Sequence, residues 1–244
     1  MKVALYVTCL VDQIEPNVGR ASVALLRRAG CEVVFDDEQT CCGQPACNSG
    51  YPSQAAPLAK RVIEQFERSG ADALVLPSGS CAAQIRHYGS LFASDAQWRE
   101  RALALSMRTF ELSWFLAHRA PLTNSTSAFQ GSVAWHDSCH GLRDLGLGKE
   151  GRLLLSLVKG LRLVELPNAD DCCGFGGTFA VKHPELSVAI ADRKIEEIAR
   201  SGVDVITGGD TSCLMHLGTR LSAIGSKVRA VHFAELLAGE ENSR

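Results

Sequence analysis

The chain has 244 residues, of which 46% are hydrophobic and 21% charged, as is ordinary for a soluble globular protein of one large or two compact domains. Its 25 basic and 27 acidic residues give a formal net charge of −2, and no basic tract alternates with aromatic residues, so we expect no nucleic-acid partner. No apolar run approaches the roughly 20 residues needed to cross a bilayer, so we expect no membrane span.

Ten cysteines are a high count for a chain of this length. The N-terminal stretch MKVALYVTCLVDQIEP lacks a small-residue cleavage site, and we interpret it as a buried strand rather than a signal peptide. We therefore expect a cytoplasmic protein, in which structural disulfides are rare. The cysteines are then metal ligands, redox groups or buried small residues, and their spacing decides among these.

Strands alternate with helices in the first half of the chain. We predict strands in KVALYVTC, CEVVF and DALVLPSGSC, the last of them running out to Cys81. Helices are predicted over residues 17–30 and 52–69. The first carries apolar residues and ends on a glycine.

A connecting segment separates this half from the second. Residues 95–120 are predicted to form one amphipathic helix that packs against a core or bridges the domains. Its apolar face carries Leu103, Met107, Phe110 and Trp114. The polar stretch PLTNSTSAFQGS follows as a linker. The order of the first half then returns, with strands in SVAWHDSC, LRLVEL and VDVITGGDTSC and with residues 153–159 and 184–201 on the helices between them.

This alternation predicts an α/β fold with parallel sheets and right-handed crossovers. We expect two internally repeated Rossmann-like domains related by pseudo-two-fold symmetry. The first domain is placed at residues 1–94, the helix and linker at 95–130 and the second domain at 131–244. In such sheets, binding sites form beyond the carboxyl ends of the strands.

The cysteines repeat together with the strands. The two halves align at an offset of about 130 residues, and each contains a Cys-Cys-Gly triplet. Eight cysteines fall into two matching sets: Cys9, Cys41, Cys42 and Cys81 in the first, and Cys139, Cys172, Cys173 and Cys213 in the second. Because each group follows a strand, we expect cysteines that are distant in sequence to converge at one edge of each sheet.

Each set supplies four cysteines, and their thiolates are the soft ligands that iron–sulfur clusters bind. Such clusters prefer thiolate ligands, usually four per cluster. The glycine after each cysteine pair, Gly43 or Gly174, lets the backbone approach the cluster and point N–H groups at sulfur. We therefore predict an iron–sulfur cluster, with [4Fe-4S] as the expected type, at the eight cysteines. Zinc in one half is the alternative, although the C-x-x-C knuckles that zinc favours are absent from the sequence.

The histidines near the second set have open roles. His136 and His140 flank Cys139 and could ligate a metal, hydrogen-bond to a thiolate or relay a proton. A supporting or structural role is favoured over direct ligation. The first half has Tyr6 and Leu10 at the equivalent positions, so the role is not shared by the repeat.

Five further residues were considered for the site. Cys31 and Cys47 have no counterpart in the other half, and we interpret Cys31 as a core residue and Cys47 as a bystander of the first CCG loop. A substrate carboxylate is typically bound by an arginine side chain or by the N-terminus of a helix. Arg20, Arg86 and Arg143 all lie shortly after a strand end and are the candidates.

These motifs resemble the cysteine-rich CCG-domain family, which includes the heterodisulfide reductase B-type subunits and the C-terminal part of the glycolate oxidase iron–sulfur subunit. The likeness lies in VTCLVD, CCGQPACNSGY, LPSGSC, HDSCH, CCGFGGTFAVKHPELS and GGDTSCLMHL, which span nearly the whole chain. Within the family, the chain is most similar to the lactate utilization protein A group.

The resemblance implies an oxidoreductase subunit of a three-protein system that oxidises L-lactate to pyruvate. It also implies two partners, a ferredoxin-type iron–sulfur protein and a further subunit of the same system. A small hydroxy acid is the implied substrate of the complex, and glycolate is the alternative to lactate.

Two departures from the family pattern bear on the cluster. The heterodisulfide reductase pattern has a fifth cysteine in a terminal C-x-x-C, where this chain has Ser78 and Asp210, so the cluster type of those enzymes is not carried over. The chain also lacks ferredoxin-type cysteine runs, so electrons must leave through another chain. Two other functions stay open, namely metal-free dithiol chemistry at Cys172 and Cys173 and a non-enzymatic, zinc-stabilised interaction module.

Overall fold

A computed structural model describes residues 1–239, and residues 240–244, which end the predicted second domain, lie outside the described residues. Within the described part, eight strands form two four-stranded sheets, in the orders β2-β1-β3-β4 and β6-β5-β7-β8. Every neighbouring pair is parallel. The strands are β1 (Lys2–Leu5), β2 (Glu32–Val34), β3 (Ala73–Leu76), β4 (Thr109–Glu111), β5 (Ala128–Trp135), β6 (Lys159–Val164), β7 (Val205–Gly208) and β8 (Arg229–His232). The predicted repeated α/β fold is confirmed.

Helices connect the strands and cover the sheets. They are α1 (Cys9–Ile14), α2 (Pro16–Arg28), α3 (Gln44–Asn48), α4 (Pro52–Ser69), α5 (Gly79–Arg86), α6 (Tyr88–Leu91), α7 (Ala96–Ser106), α8 (Leu112–Trp114), α9 (Glu150–Leu155), α10 (Thr178–Lys182), α11 (Pro184–Ser201), α12 (Thr211–Ala223) and α13 (Phe233–Ala238). Single π-helical turns follow at Phe115–Arg119 and His140–Asp144. None of the helices within residues 1–239 combines the length and apolar character needed to cross a lipid bilayer.

One hydrophobic core is built from both halves of the chain. It joins Val3 and Leu25 from the first half with Val133, Phe233 and Leu237 from the second. Helix α13, the last described element, packs on α2 near the start of the chain. The two outer faces of the sheets have smaller cores of their own. The halves are therefore repeats in topology but share their main core.

The two halves meet at equivalent positions. Ser78, just after β3, forms an isolated antiparallel bridge with Asp210, just after β7. The backbone N–H of Gly79 also donates to the Gly209 carbonyl oxygen at 3.1 Å. Because Ser78 and Asp210 are counterparts in the repeat, the pseudo-two-fold axis passes close to this bridge.

The prediction of one amphipathic helix over residues 95–120 is wrong. Helix α7 ends at Ser106, and the chain then enters β4, which pairs with β3 in the register Val75↔Phe110. Pairing with the edge of the first sheet overrides the apparent helical period, which is a weak local preference. The helix predicted over 153–159 is also displaced, since α9 ends at Leu155 and Lys159 opens β6.

Candidate metal centre

All eight repeated cysteines line one cleft between the halves, with a volume of about 320 Å³. In the sheet order 2-1-3-4, the strand connections diverge between β1 and β3, and β5 and β7 are their counterparts. Such switch points open a crevice at the carboxyl ends of parallel strands. Cys9 follows β1 and Cys81 follows β3, while Cys139 and Cys213 take the same places in the second half. The predicted convergence is observed, and the two sets open into the same cleft.

Three cysteines predicted at strand ends lie instead in the first turns of helices. Strand β1 ends at Leu5, and Cys9 is the first residue of α1. Strand β3 ends at Leu76, and Cys81 lies in α5; its counterpart Cys213 lies in α12. The side chains of Ser78 and Asp210 cap α5 and α12 by accepting hydrogen bonds from backbone N–H groups, which ends the strands early. A helix N-terminus favours a negatively charged group such as a thiolate.

The first cysteine set is linked by hydrogen bonds between free thiol groups. The Cys42 thiol donates to the sulfur of Cys81 at 3.3 Å. Hydrogen bonds from Cys42 and Cys9 lower the pKa of Cys41 to about 3. The bond to Cys41 and then burial raise the pKa of Cys9. Hydrogen bonding within the set therefore favours the thiolate form of Cys41 and the protonated form of Cys9.

The cysteines of the second set differ widely in solvent exposure. Cys172 is exposed, whereas Cys173 and Cys213 are buried. The hydrogen bond with Cys173, followed by burial, raises the pKa of Cys172. Burial also raises the pKa of Cys139, and the positive charge of Arg143 opposes the rise at both of these cysteines. Their protons must be displaced if a metal is to bind.

The glycine after each cysteine pair shapes its loop. The N–H groups of Gly43 and Gly174 donate to the sulfurs of Cys41 and Cys172 at 3.4 and 3.3 Å. Gly174 has a φ of +89°, and a Cβ there would collide with the carbonyl oxygen of Ser187 in α11. The N–H bond to sulfur agrees with the sequence argument. The need for glycine at 174 comes from close packing on a helix.

Ser78 and Asp210, which replace the fifth cysteines of the heterodisulfide reductase pattern, are bonded to each other's half. Asp210 Oδ2 accepts from the Ser80 backbone N–H at 2.7 Å and from the Ser78 hydroxyl at 3.4 Å. Its Oδ1 accepts from the N–H and hydroxyl of Ser212 at 3.1 and 2.6 Å. These positions therefore join the halves.

The two histidines beside Cys139 have different surroundings. His140 Nδ1 contacts Asp144 at 2.5 Å, and its Nε2 lies 3.2 Å from the Gln44 side-chain nitrogen of the first half. His136 is 2% exposed, and neither ring nitrogen has a hydrogen-bond partner among residues 1–239. Burial, and then the charge of Lys194, lower the pKa of His136 to about 4.

An ion cluster supports the loop that carries Cys139. Arg152 donates from two nitrogens to the two carboxylate oxygens of Asp137, each at 2.9 Å, and also binds Glu165. This cluster was not predicted from the sequence, because nothing local links Asp137 to an arginine on the following helix. Lys194 was missed too; it is buried in α11 and bonded to Glu197 at 3.2 Å.

The remaining candidate residues separate clearly. Cys31 is 7% exposed and belongs to the shared core, as predicted. Cys47 accepts a hydrogen bond from the Gln84 side chain at 3.2 Å and does not line the cleft. Arg20 bonds to Asn17 on its own helix, and Arg86 ends α5 beside a different cavity. Of the three candidate arginines, Arg143 is the one whose charge acts on the cysteines.

Comparison with known proteins agrees with this architecture. The chain matches the CCG cysteine-rich domain family twice, over residues 3–86 and 133–218. It is 47% identical to lactate utilization protein A of Exiguobacterium sp. (strain ATCC BAA-1283 / AT1b), over 96% of both chains. It is 45% identical to lactate utilization protein A of Bacillus subtilis (strain 168), over 97% of this chain and 99% of that protein.

Solved structures are more distant. A putative Asp/Glu racemase from Yersinia pestis aligns over 98% of this chain and 96% of its own, at 13% identity and a TM-score of 0.38. The sequence matches are much closer and extend over nearly the full length of both chains. The chain therefore belongs to the cysteine-rich CCG-domain family, in its lactate utilization protein A group.

Proposed function

We propose that the chain is an iron–sulfur-binding, electron-handling subunit of a cytoplasmic oxidoreductase system that oxidises L-lactate to pyruvate. The observation that carries the proposal is the single cleft lined by both cysteine sets. The name of the relatives, lactate utilization protein A, at 43–47% identity, supports lactate as the substrate of the system.

The donor chemistry of the cleft fits such a cofactor. Thiolates are the ligands that iron–sulfur clusters prefer, and N–H groups aimed at sulfur tune the potential of a cluster. The residues that would hold clusters are Cys9, Cys41, Cys42 and Cys81 in the first half, and Cys139, Cys172, Cys173 and Cys213 in the second. A bound cluster supplies one-electron transfer. The protein contributes a partly buried cleft in which these thiol groups lie together.

Partners complete the proposed system. The chain has no ferredoxin-type cysteine run, so its electrons pass to a ferredoxin-type iron–sulfur protein, and a further subunit belongs to the same complex. Arg143 is the candidate for binding a hydroxy-acid carboxylate, because its positive charge reaches Cys139 and Cys172.

Metal content is the first test. Protein purified without oxygen, or reconstituted with iron and sulfide, should be coloured and contain both iron and acid-labile sulfide. Mixed with its partner proteins, it should be reduced on addition of L-lactate, with glycolate as the competing substrate. The Cys31→Ser variant is the control, because Cys31 is in the core. Anaerobic protein that stays colourless after reconstitution would refute the proposal.

A metal-free dithiol function, which the sequence suggests for Cys172 and Cys173, is the second candidate. A second pair of thiols also lies close enough to be considered for it, because the sulfurs of Cys42 and Cys81 are 3.3 Å apart. The same protein samples decide between the two. Reversible, stoichiometric oxidation of these thiols in protein that takes up neither iron nor zinc would favour dithiol chemistry. Zinc without colour would favour a zinc-stabilised interaction module.

A further inference from the structure

Three buried side chains of the second half form a compact group of metal donors. One ligand atom each from His136, Cys173 and Cys213 can be chosen so that all three lie within 4.8 Å of one another. Donors around one tetrahedral metal ion, at bonds of about 2.0–2.3 Å, are separated by roughly 3.3–3.8 Å. Small side-chain rotations therefore bring this group to ligating distances.

A ring nitrogen of His136 is available to bind a metal ion. The imidazole is 2% exposed, and neither nitrogen makes a hydrogen bond of normal geometry to a described residue, although the backbone of Ala169 lies close enough to act on the ring. A buried polar group without a hydrogen bond is costly and rare in native proteins. His232 is equally buried, yet its Nδ1 accepts a hydrogen bond from the Ala234 N–H. A metal bound by His136 would satisfy the nitrogen that the fold leaves unpaired.

The other nitrogen of His136 also has a place for a partner. A ligating imidazole usually hydrogen-bonds through its second nitrogen to a carboxylate, a carbonyl or water. A cavity of about 20 Å³ borders His136, Asp137 and Glu111, and the Oε1 atom of Glu111 is likewise unpaired within residues 1–239. This volume suffices for one water molecule.

The first half offers no such ligand. The residue equivalent to His136 is Tyr6, whose hydroxyl donates to the Thr40 carbonyl oxygen at 2.5 Å. Asp210 is a charged group close to the second set, but both of its carboxylate oxygens already accept hydrogen bonds. The difference between the two sets therefore lies in one nitrogen donor.

We propose that His136 is a metal ligand of the second cysteine set, together with Cys173 and Cys213, so that this half holds a centre with mixed nitrogen and sulfur ligands. The inference rests on the proposed metal-binding function of that set. Replacing an anionic thiolate by a neutral imidazole raises the reduction potential of an iron–sulfur centre. A second-half centre with an imidazole in place of one thiolate would therefore be the better electron acceptor of the two.

Zinc binding tests the ligand without relying on iron. A background with Cys41→Ser and Cys42→Ser disables the first set, and metal-free protein is titrated with zinc against a chelator. Loss of a residue that only supports a ligand weakens metal binding by about 10–100-fold, so His136→Gln should weaken it by more than about 100-fold. His232→Gln, the control for loss of a buried imidazole, should leave the affinity unchanged. Equal affinities in the two variants would overturn the proposal.

Spectroscopy of the unmutated protein covers the case in which His136→Gln does not fold. Protein reconstituted with iron and sulfide is reduced, and pulsed electron paramagnetic resonance compares samples with ¹⁴N- and ¹⁵N-labelled histidine. A strong coupling that changes with the label, and that persists in His140→Gln, supports ligation by His136. A loaded centre without this coupling overturns it. Failure to take up iron and sulfide would instead refute the proposed function, and the zinc titration would still decide the role of His136.

Discussion

Comparing Gly174→Ala with Gly202→Ala should distinguish two costs of a side chain after the CCG cysteines, namely a steric clash with α11 and an unfavourable positive φ. Gly174 and Gly202 both have positive φ, +89° and +64°, and they lie before and after the same helix, α11. A side chain in the left-handed region costs roughly 1–2 kcal/mol at either position. At Gly202 a Cβ meets nothing within 4 Å, whereas at Gly174 it collides with the Ser187 carbonyl oxygen and lies 3.1 Å from the Ala191 nitrogen.

The collision should add about 1–3 kcal/mol, the usual cost of overpacking. Gly174→Ala should then lower the free energy of unfolding by about 2–5 kcal/mol, and Gly202→Ala by about 1–2 kcal/mol. For a chain of this size, the extra loss corresponds to a Tm lower by roughly 2–12 °C. Thermal unfolding of the two metal-free variants, followed by circular dichroism, measures the difference. Equal Tm values would refute the claim that α11 packs rigidly on the CCG loop.

Three further predictions concern the cysteines and the ion cluster. The double variant Cys41→Ser, Cys42→Ser should lose the iron of the first set, while Cys31→Ser keeps its iron and loses only about 1–3 kcal/mol of stability, as metal analysis and denaturant unfolding would show. Arg152→Met leaves a partly buried carboxylate unpaired and should cost about 3 kcal/mol, whereas Glu165→Gln, at an exposed partner, should cost less than about 1 kcal/mol in the same assay. The pKa of Cys41 is lowered, whereas burial raises the pKa of Cys31. In metal-free protein at about pH 5, iodoacetamide should therefore label Cys41 before Cys31. The reverse order of labelling in peptide mass spectra would contradict the lowered pKa of Cys41.

Local signals were sufficient for the longest elements. Helices α4 and α11 have the predicted ends, because a proline begins each and a glycine follows each. Strand β4 was missed, since its three residues fit a helical period and only pairing with β3 makes them a strand. Short elements at the edge of a sheet depend on neighbours that the local sequence does not reveal.

The site was predictable to the extent that topology places it. Parallel strands put the residues that follow them at one edge, so the spacing of the cysteines was enough to predict their convergence. The state of His136 was not predictable in this way, because its unpaired nitrogens depend on which distant side chains fail to reach it. The arginine partner of Asp137 was hidden for the same reason.

The core shared by α2 and α13 has a consequence for how metal is loaded. Because Leu25 and Phe233 are buried in the same cluster, neither half can unfold without exposing apolar surface of the other. A ligand that binds only the folded state stabilises every part that unfolds with it. Metal bound at one cysteine set therefore also stabilises the other half against unfolding. The half that binds metal first would keep the second cysteine set folded until that set binds its own metal.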